Sequence, residues 1–188
     1  MVSALTYKFT GIKNDIITDV KVKNGVDMNK SIQTKGLWDT GAQNSAITKK
    51  AAQALGLTAM KKTRIRGVHG VKEVNVYFIH IVLNNENITV PCLVTECDEL
   101  SNDGTVDLLL GMNVICNGDF VISNHAGNTT MTFRVPSLQS VDFVEEIKEY
   151  NRIAMIHEIE SKKGIERCPC KSGKSFDNCH GKSIYHNK

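Results

Sequence analysis

The cadence of short apolar stretches is the feature that most limits the folds open to this 188-residue chain. Alternating or β-branched runs recur at Leu5–Phe9, Ile16–Val22, Gly36–Trp38, Val74–Leu83, Ile88–Val94, Val106–Leu110, Phe120–Ile122 and Thr129–Val135. Between them lie turn-forming clusters such as Asn24-Gly25, Asn84-Asn85, Asn102-Asp103-Gly104 and Ala126-Gly127-Asn128. Short strands punctuated in this way predict a mainly β domain over residues 1–137, a small barrel or sandwich. One stretch rich in Ala and Lys, Thr48–Leu55, interrupts the series and stops at Gly56, which predicts a short helix.

From Ser140 the pattern changes. Val141–Lys163 lacks Pro and internal Gly, and its apolar residues at 143, 147, 150 and 154 fall at helical spacing before Gly164. The spacing predicts a long amphipathic helix within a connector over residues 138–165. A linker standing free and a helix packed back on the barrel fit this pattern equally. The apolar run from Leu108 to Cys116 is broken by Gly111 and Asn113 and is far too short for a membrane span. The first residues show no basic patch followed by an apolar core, so no secretory signal is expected and a cytoplasmic location is. Without secretion the Asn87-Ile88-Thr89 glycosylation pattern has no meaning.

An acidic residue stands directly after an apolar strand in Leu37-Trp38-Asp39-Thr40-Gly41-Ala42. An Asp-Thr-Gly tripeptide alone is weak, because turns are rich in all three residue types. Its setting strengthens it: Ser45 and a helix follow, and Asp107-Leu108-Leu109-Leu110-Gly111 later supplies a buried strand ending in glycine. With these two motifs residues 1–137 resemble the retropepsin-like aspartic proteases of the single-domain bacterial type. That family pairs the Asp loop with a later apolar-apolar-Gly strand, here Leu109-Leu110-Gly111, and carries a glycine-containing flap hairpin between them. Arg66-Gly67-Val68-His69-Gly70-Val71 stands where the flap is expected.

The resemblance implies a catalytic loop of Asp39, Thr40 and Gly41, with Ala42, Gly67, Val68, His69 and Gly70 meeting the substrate. The Thr40 hydroxyl would brace the loop, Gly41 would let backbone N–H groups approach the carboxylate, and Ala42 would leave room for a polypeptide. Two close aspartates cannot both ionise easily, so they share a proton and supply an acid and a base together. The chain has one such motif, which implies a homodimer with the site on its two-fold axis. Two departures are visible. Met112-Asn113 follows Gly111 where related bacterial sequences carry an acidic residue. The terminal strands of viral retropepsin dimers are not evident, so Val141–Lys163 is expected to contribute to the dimer contacts.

Of the six cysteines, Cys92, Cys97 and Cys116 are scattered through apolar segments and read as small buried hydrophobes. Cys168, Cys170 and Cys179 crowd beside His180 as Cys-x-Cys, eight residues, then Cys-His. Three thiolates and an imidazole are the ligand set of a closed structural zinc site, and so short a segment needs metal to fold. Residues 166–188 resemble the SEC-C motif, best known at the C-terminus of the bacterial SecA translocation motor. Pro169, Ser172-Gly173-Lys174 and Gly181 match the surroundings of its ligands. That likeness implies one structural Zn(2+) per chain and contact with a chaperone or the ribosome.

The net charge of +3 is uneven: from Ser161 onward seven basic residues stand against two acidic ones. A basic tail suits an anionic partner, RNA included, though on charge alone a solvated tail fits equally well. The leading expectation is a homodimeric aspartic endopeptidase carrying a zinc-bearing targeting module. The competing one is a catalytically silent dimeric scaffold presenting that module. Trp38 is expected in the core or a dimer interface. His80, His125, His157 and His186 read as surface or satisfied residues.

Overall fold

In the computed structural model, residues 2–67, 70–83, 87–161, 168, 172–175 and 178–179 are described. They fall into two units, Met1–Gln139 and Ser140–Lys188. In chain order the first unit contains β1 (Ser3–Lys8), β2 (Ile16–Asn24), β3 (Ser31–Trp38), β4 (Ala46–Thr48) and helix α1 (Lys49–Ala54). There follow β5 (Lys61–Gly67), β6 (Gly70–Leu83), β7 (Thr89–Cys97), β8 (Val106–Leu110), α2 (Met112–Ile115), β9 (Asp119–Ser123) and β10 (Thr130–Val135). The second unit begins with α3 (Phe143–Ser161).

Strand β2 closes the barrel because both of its edges are used. It pairs antiparallel with β3 on one side and with β6 on the other, Val20 facing Leu83 and Asn24 facing Ile79. The ring of six therefore runs β2-β3-β8-β4-β7-β6 and returns to β2. Pairs β3–β8 and β4–β7 are parallel and the rest antiparallel. Alternation along the strands sends Val20, Val22, Ile79, Ile81, Leu83, Val94, Leu108 and Leu110 inward, where all are buried. Each such side chain contributes roughly 1.5–3 kcal/mol of burial. Leu55, at the end of α1, joins the same core.

A second sheet runs β1-β10-β9 and is antiparallel throughout. Trp38 ties it to the barrel. Its ring lies 5.2 Å from both Phe120 and Phe133, and its Nε1 donates to Thr18 Oγ1 at 2.9 Å. Trp38 is thus a core residue, 6% exposed. After β10 the chain is held by Asp119, which accepts from Ser137 Oγ at 2.5 Å, Leu138 N at 3.0 Å and Arg134 Nε at 2.9 Å. The Ser137 hydroxyl, the Leu138 N–H and the Arg134 guanidinium together hold its carboxyl down to about 2.

Several expectations need correction. The strand expected at Gly36–Trp38 begins at Ser31, because β2 offers a partner along its whole length. The strand expected at Val74 begins at Gly70, since β5 extends it outward as a hairpin. Strands β4 and β5 and helix α2 were not expected at all. The first helix is Lys49–Ala54: Thr48 lies outside it as the N-cap, its hydroxyl accepting from Ala51 N at 3.2 Å. The long helix begins at Phe143, not Val141, because Asp142 caps it by accepting from Val144 N at 2.9 Å. Of the cysteines read as buried, Cys92 is so, but Cys97 is half-buried and Cys116 exposed. His80 is half-buried against Phe78, and its Nδ1 has no hydrogen-bond partner among the described residues. No helix among the described residues is long and apolar enough to cross a membrane.

Candidate active site

Asp39 is the first residue beyond β3, and the parallel neighbour β8 fixes where it stands. Its backbone N–H donates to Leu110 O at 3.0 Å, so the loop leaves the barrel at the point where β8 ends. The carboxylate is half-buried, and Oδ1 accepts from Gly41 N at 2.8 Å. This N–H, folded back on the acid, fixes the orientation of the carboxylate. The Thr40 hydroxyl, expected to brace the loop, is exposed and meets no partner among the described residues. Ala42 is half-buried, and its carbonyl accepts from Met112 N at 2.8 Å.

What braces the loop is the segment after β8. Asn113 N donates to Gln43 O at 3.1 Å. Asn113 Oδ1 accepts from Ser45 N at 2.9 Å and from Ser45 Oγ at 2.7 Å. The same Ser45 Oγ, fully buried, accepts from Gly111 N at 3.0 Å. The other face of the Asn113 amide donates to Leu93 O at 3.3 Å and Cys92 Sγ at 3.1 Å, which reaches across to β7. A neutral amide offers both the acceptor and the donors this position needs, whereas a carboxylate offers acceptors alone. The departure at Met112-Asn113 is therefore accommodated. Gly111 has no room for a side chain: a Cβ there would lie 2.7 Å from Asn44 C and 2.9 Å from Ala42 O.

Asp107, earlier in β8, extends the bracing sideways. It accepts from Thr34 Oγ1 at 3.0 Å and Thr48 Oγ1 at 2.7 Å, linking β3 and the cap of α1. Neither Asn113 nor Asp107 was singled out as a site residue by sequence reasoning. Asn113 stands two residues beyond Gly111 of the apolar-apolar-Gly motif, and a satisfied amide at that spacing is the signal to look for.

Strands β5 and β6 form the hairpin expected as a flap, closing on the pair Gly67–Gly70. Gly70 has φ +105°, a conformation that L side chains rarely adopt, so glycine is required there. Val68 and His69, expected to meet substrate, lie outside the described residues. At the hairpin's base Tyr77 donates to Glu96, and Asn75 Nδ2 donates to the same carboxylate at 3.2 Å. The Tyr77 bond holds the Glu96 carboxyl below its usual range, while burial and that same carboxylate push Tyr77 up. Further out, Lys72 pairs with Asp98 at 2.6 Å on the surface.

A model of the aspartyl protease family matches residues 19–114, a span that holds the Asp39 loop, the hairpin and the Gly111-Met112-Asn113 brace. The chain belongs to the aspartyl protease family. A retropepsin-like aspartic protease from Rickettsia conorii is 14% identical, covering 72% of this chain and 96% of its own, with a TM-score of 0.45. The EIAV protease complexed with the inhibitor HBY-793 is 20% identical over 55% of this chain and 88% of its own, TM-score 0.41. The retroviral protease-like domain of Ddi1 from Leishmania major is 18% identical over 66% and 95%, TM-score 0.38. No curated protein matches the chain.

The aspartyl protease match ends before the cysteine-rich segment. There Cys168 is 3% exposed, and its N–H donates to Lys174 O at 2.7 Å, closing a turn around Gly173 at φ +74°. Ser172 Oγ lies 3.4 Å from Cys179 Sγ, which brings the second cysteine to the same turn. Cys170 and His180 lie outside the described residues. Among the described residues no group of three or more His, Cys, Asp or Glu could hold a metal. Cys168 and Cys179 supply soft thiol donors of the kind a tetrahedral zinc site uses.

Proposed function

We propose that this aspartyl protease is a retropepsin-like endopeptidase that works as a homodimer, with one Asp39 from each chain forming the catalytic pair. The observation that carries the reading is the braced Asp39 loop. Its carboxylate is oriented by Gly41 N–H and half-open to solvent, and the Asp-Thr-Gly run that carries it occurs once in the matched span. On the two-fold axis the two carboxyls share one proton. The ionised one takes a proton from water, whose oxygen attacks the scissile carbonyl carbon. The protonated one donates to the carbonyl oxygen, giving a tetrahedral gem-diol. Collapse breaks the C–N bond as the carboxyl that took the water's proton gives it to the leaving nitrogen, while the other takes a proton from a gem-diol hydroxyl as the product carbonyl forms, and the pair returns to its starting state. Ala42 leaves space for the polypeptide, and the hairpin ending at Gly67, Val68, His69 and Gly70 closes over it.

The same reading gives residues 166–188 a structural zinc. Cys168, Cys170, Cys179 and His180 would hold it, and its chemistry there is to tie the turns together. The buried Cys168 and the Ser172–Cys179 approach support that placement. This segment would take the protease to a chaperone or the ribosome.

The test is cleavage of a diverse peptide library from acid to neutral pH by the wild type and by Asp39→Asn. Cleavage by the wild type that is lost in a still-dimeric variant supports the reading. Equal cleavage by both, or none by either, overturns it. Zinc content near one per chain checks the metal separately.

A further inference from the structure

We propose that Glu96 is the fulcrum that sets the β5–β6 hairpin over a bound polypeptide. Its carboxylate holds Asn75 and Tyr77 on either side of the joint where the hairpin leaves the barrel, and Asp98 checks the hairpin farther out. The proposal rests on the reading in which this hairpin covers the substrate at Asp39. It names the positioning residues that act through the hairpin.

The strand pairing locates the joint at Val76. From Val76 to Val82, β6 is paired with β7, and from Gly70 to Val76 it is paired with β5. Outward of Val76, β5 and β6 have only each other as strand partners among the described residues. The hairpin beyond the joint is thus a two-stranded ribbon about 20 Å long. A ribbon of two strands is marginal in water by itself, so its direction depends on side chains that reach back to the body. Asn75 and Tyr77 stand one residue to either side of Val76 and project from the same face. Both reach one oxygen of Glu96 on β7: Asn75 Nδ2 donates to Oε2 at 3.2 Å, and the Tyr77 hydroxyl donates to it as well. Tyr77 is buried and belongs to the barrel, whereas Asn75 is half-buried and belongs to the ribbon. A single carboxylate oxygen bridges the projecting part and the fixed part.

Glu96 is itself anchored. It pairs with Ile47 of β4, and its neighbour Thr95 donates an N–H to Ser45 O at 3.0 Å. The Ser45 hydroxyl is what fastens Gly111 and Asn113 beside the Asp39 loop, so the joint and the aspartate share one frame. The second tie lies farther out, where Lys72 Nζ meets Asp98 Oδ2 at 2.6 Å just past the end of β7. Lys72 and Asn75 are an odd number of residues apart and lie on opposite faces of the ribbon, so the two ties restrain it from both sides. They differ in strength. The Glu96 tie is half-buried, whereas both partners of the Lys72 pair are exposed and open to screening by salt. The hairpin pivots about a firm inner joint and is checked by a weak outer one.

The experiment uses the full-length chain and measures kcat and KM on a peptide that the wild type cleaves, together with backbone hydrogen–deuterium exchange. Glu96→Ala should raise KM about tenfold with kcat changed less than about threefold, the split expected when binding is lost equally before and at the transition state. Exchange in β5 and in residues 70–75 should quicken about tenfold, with β2 and β8 unchanged. Glu96→Gln, whose amide oxygen accepts the same two bonds, should bring both readouts to within about twofold of the wild type. Asn75→Ala should match Glu96→Ala, and the double variant should be no worse than either alone. Lys72→Ala should raise KM about threefold at low salt and leave it unchanged at about 1 M salt, where the wild-type pair is already screened. A merely structural role would lower Tm without the KM split or the rescue by Gln. If Glu96→Ala and Asn75→Ala fold and cleave with the wild-type KM, the fulcrum is wrong while the reading of Asp39 stands. A fall in kcat at unchanged KM also overturns it. If the wild type does not cleave, the protease reading falls and the exchange rates alone decide. Faster exchange in Glu96→Ala, restored in Glu96→Gln, then keeps the fulcrum, and unchanged exchange removes it.

Discussion

The Asp39 loop and the cysteine-rich turn are both short, irregular and dependent on glycine, yet they are held by different means. The loop is fastened by bonds from Leu110, Gly111, Met112 and Asn113, all from a strand and helix anchored in the barrel core. Among the described residues, the turn at Cys168 shows a backbone bond to Lys174 O and an approach of Ser172 Oγ to Cys179 Sγ. The barrel builds the first in advance, whereas under the zinc proposal the second would take its order from the metal. Preorganisation by the core suits a carboxylate that must be aimed before substrate arrives.

That contrast can be broken at several points. The largest effect is expected from Asp39→Asn: cleavage should fall by about 10³-fold or more, with the melting temperature nearly unchanged, as measured in kinetic and thermal assays. A fall in stability instead would make Asp39 a structural residue. Next, Gly111→Ala should cost about 3 kcal/mol or more in urea unfolding, because the methyl meets backbone atoms that cannot move aside. Asn113→Ala removes the acceptor for Ser45 N and Oγ and should cost about 2 kcal/mol. Asn113→Asp keeps the acceptors but loses the donors to Leu93 and Cys92, so it should cost less than Asn113→Ala. Cys168→Ser should abolish zinc retention yet shift barrel unfolding by less than about 1 kcal/mol, which near-ultraviolet signals from Trp38 can report. A larger shift would mean that the two regions do not fold independently.

The smallest effect concerns acid. Asp119 titrates at about 2 in the folded chain against an ordinary 3.8, so it stabilises the fold above pH 3.8. This contribution is lost as pH falls through about 2. Asp119→Asn should therefore flatten the decline in stability between those values while leaving cleavage at higher pH intact.

Legibility followed burial. β8 was readable to the residue, since Val106, Leu108 and Leu110 alternate with half-buried Asp107 and Leu109, and the strand lies between two neighbours. β5 was not. Its Lys61, Lys62 and Arg64 are exposed and it pairs with β6 alone, so no apolar period marks it. The Asp39 loop announced itself through residue types required by its chemistry. Its brace did not, because Asn113 matters through the register that brings Ser45 beside it, and register is a property of the assembled sheet. The base of the hairpin was silent for the same reason: Asn75, Tyr77 and Glu96 come together only when β6 and β7 pair.

The pairing of β1 with β10 sets Ser3 opposite Val135, joining the two ends of a unit that encloses everything between them. During synthesis β1 emerges first and must wait for more than a hundred residues before its partner exists. The Asp39 loop waits nearly as long, since Asn113 must also be made. Contacts so distant in sequence slow the final step of folding. The frame around Asp39 is thus complete only once β8 and the residues after it have been made, and a truncated product lacking β8 carries the aspartate without the frame that aims it.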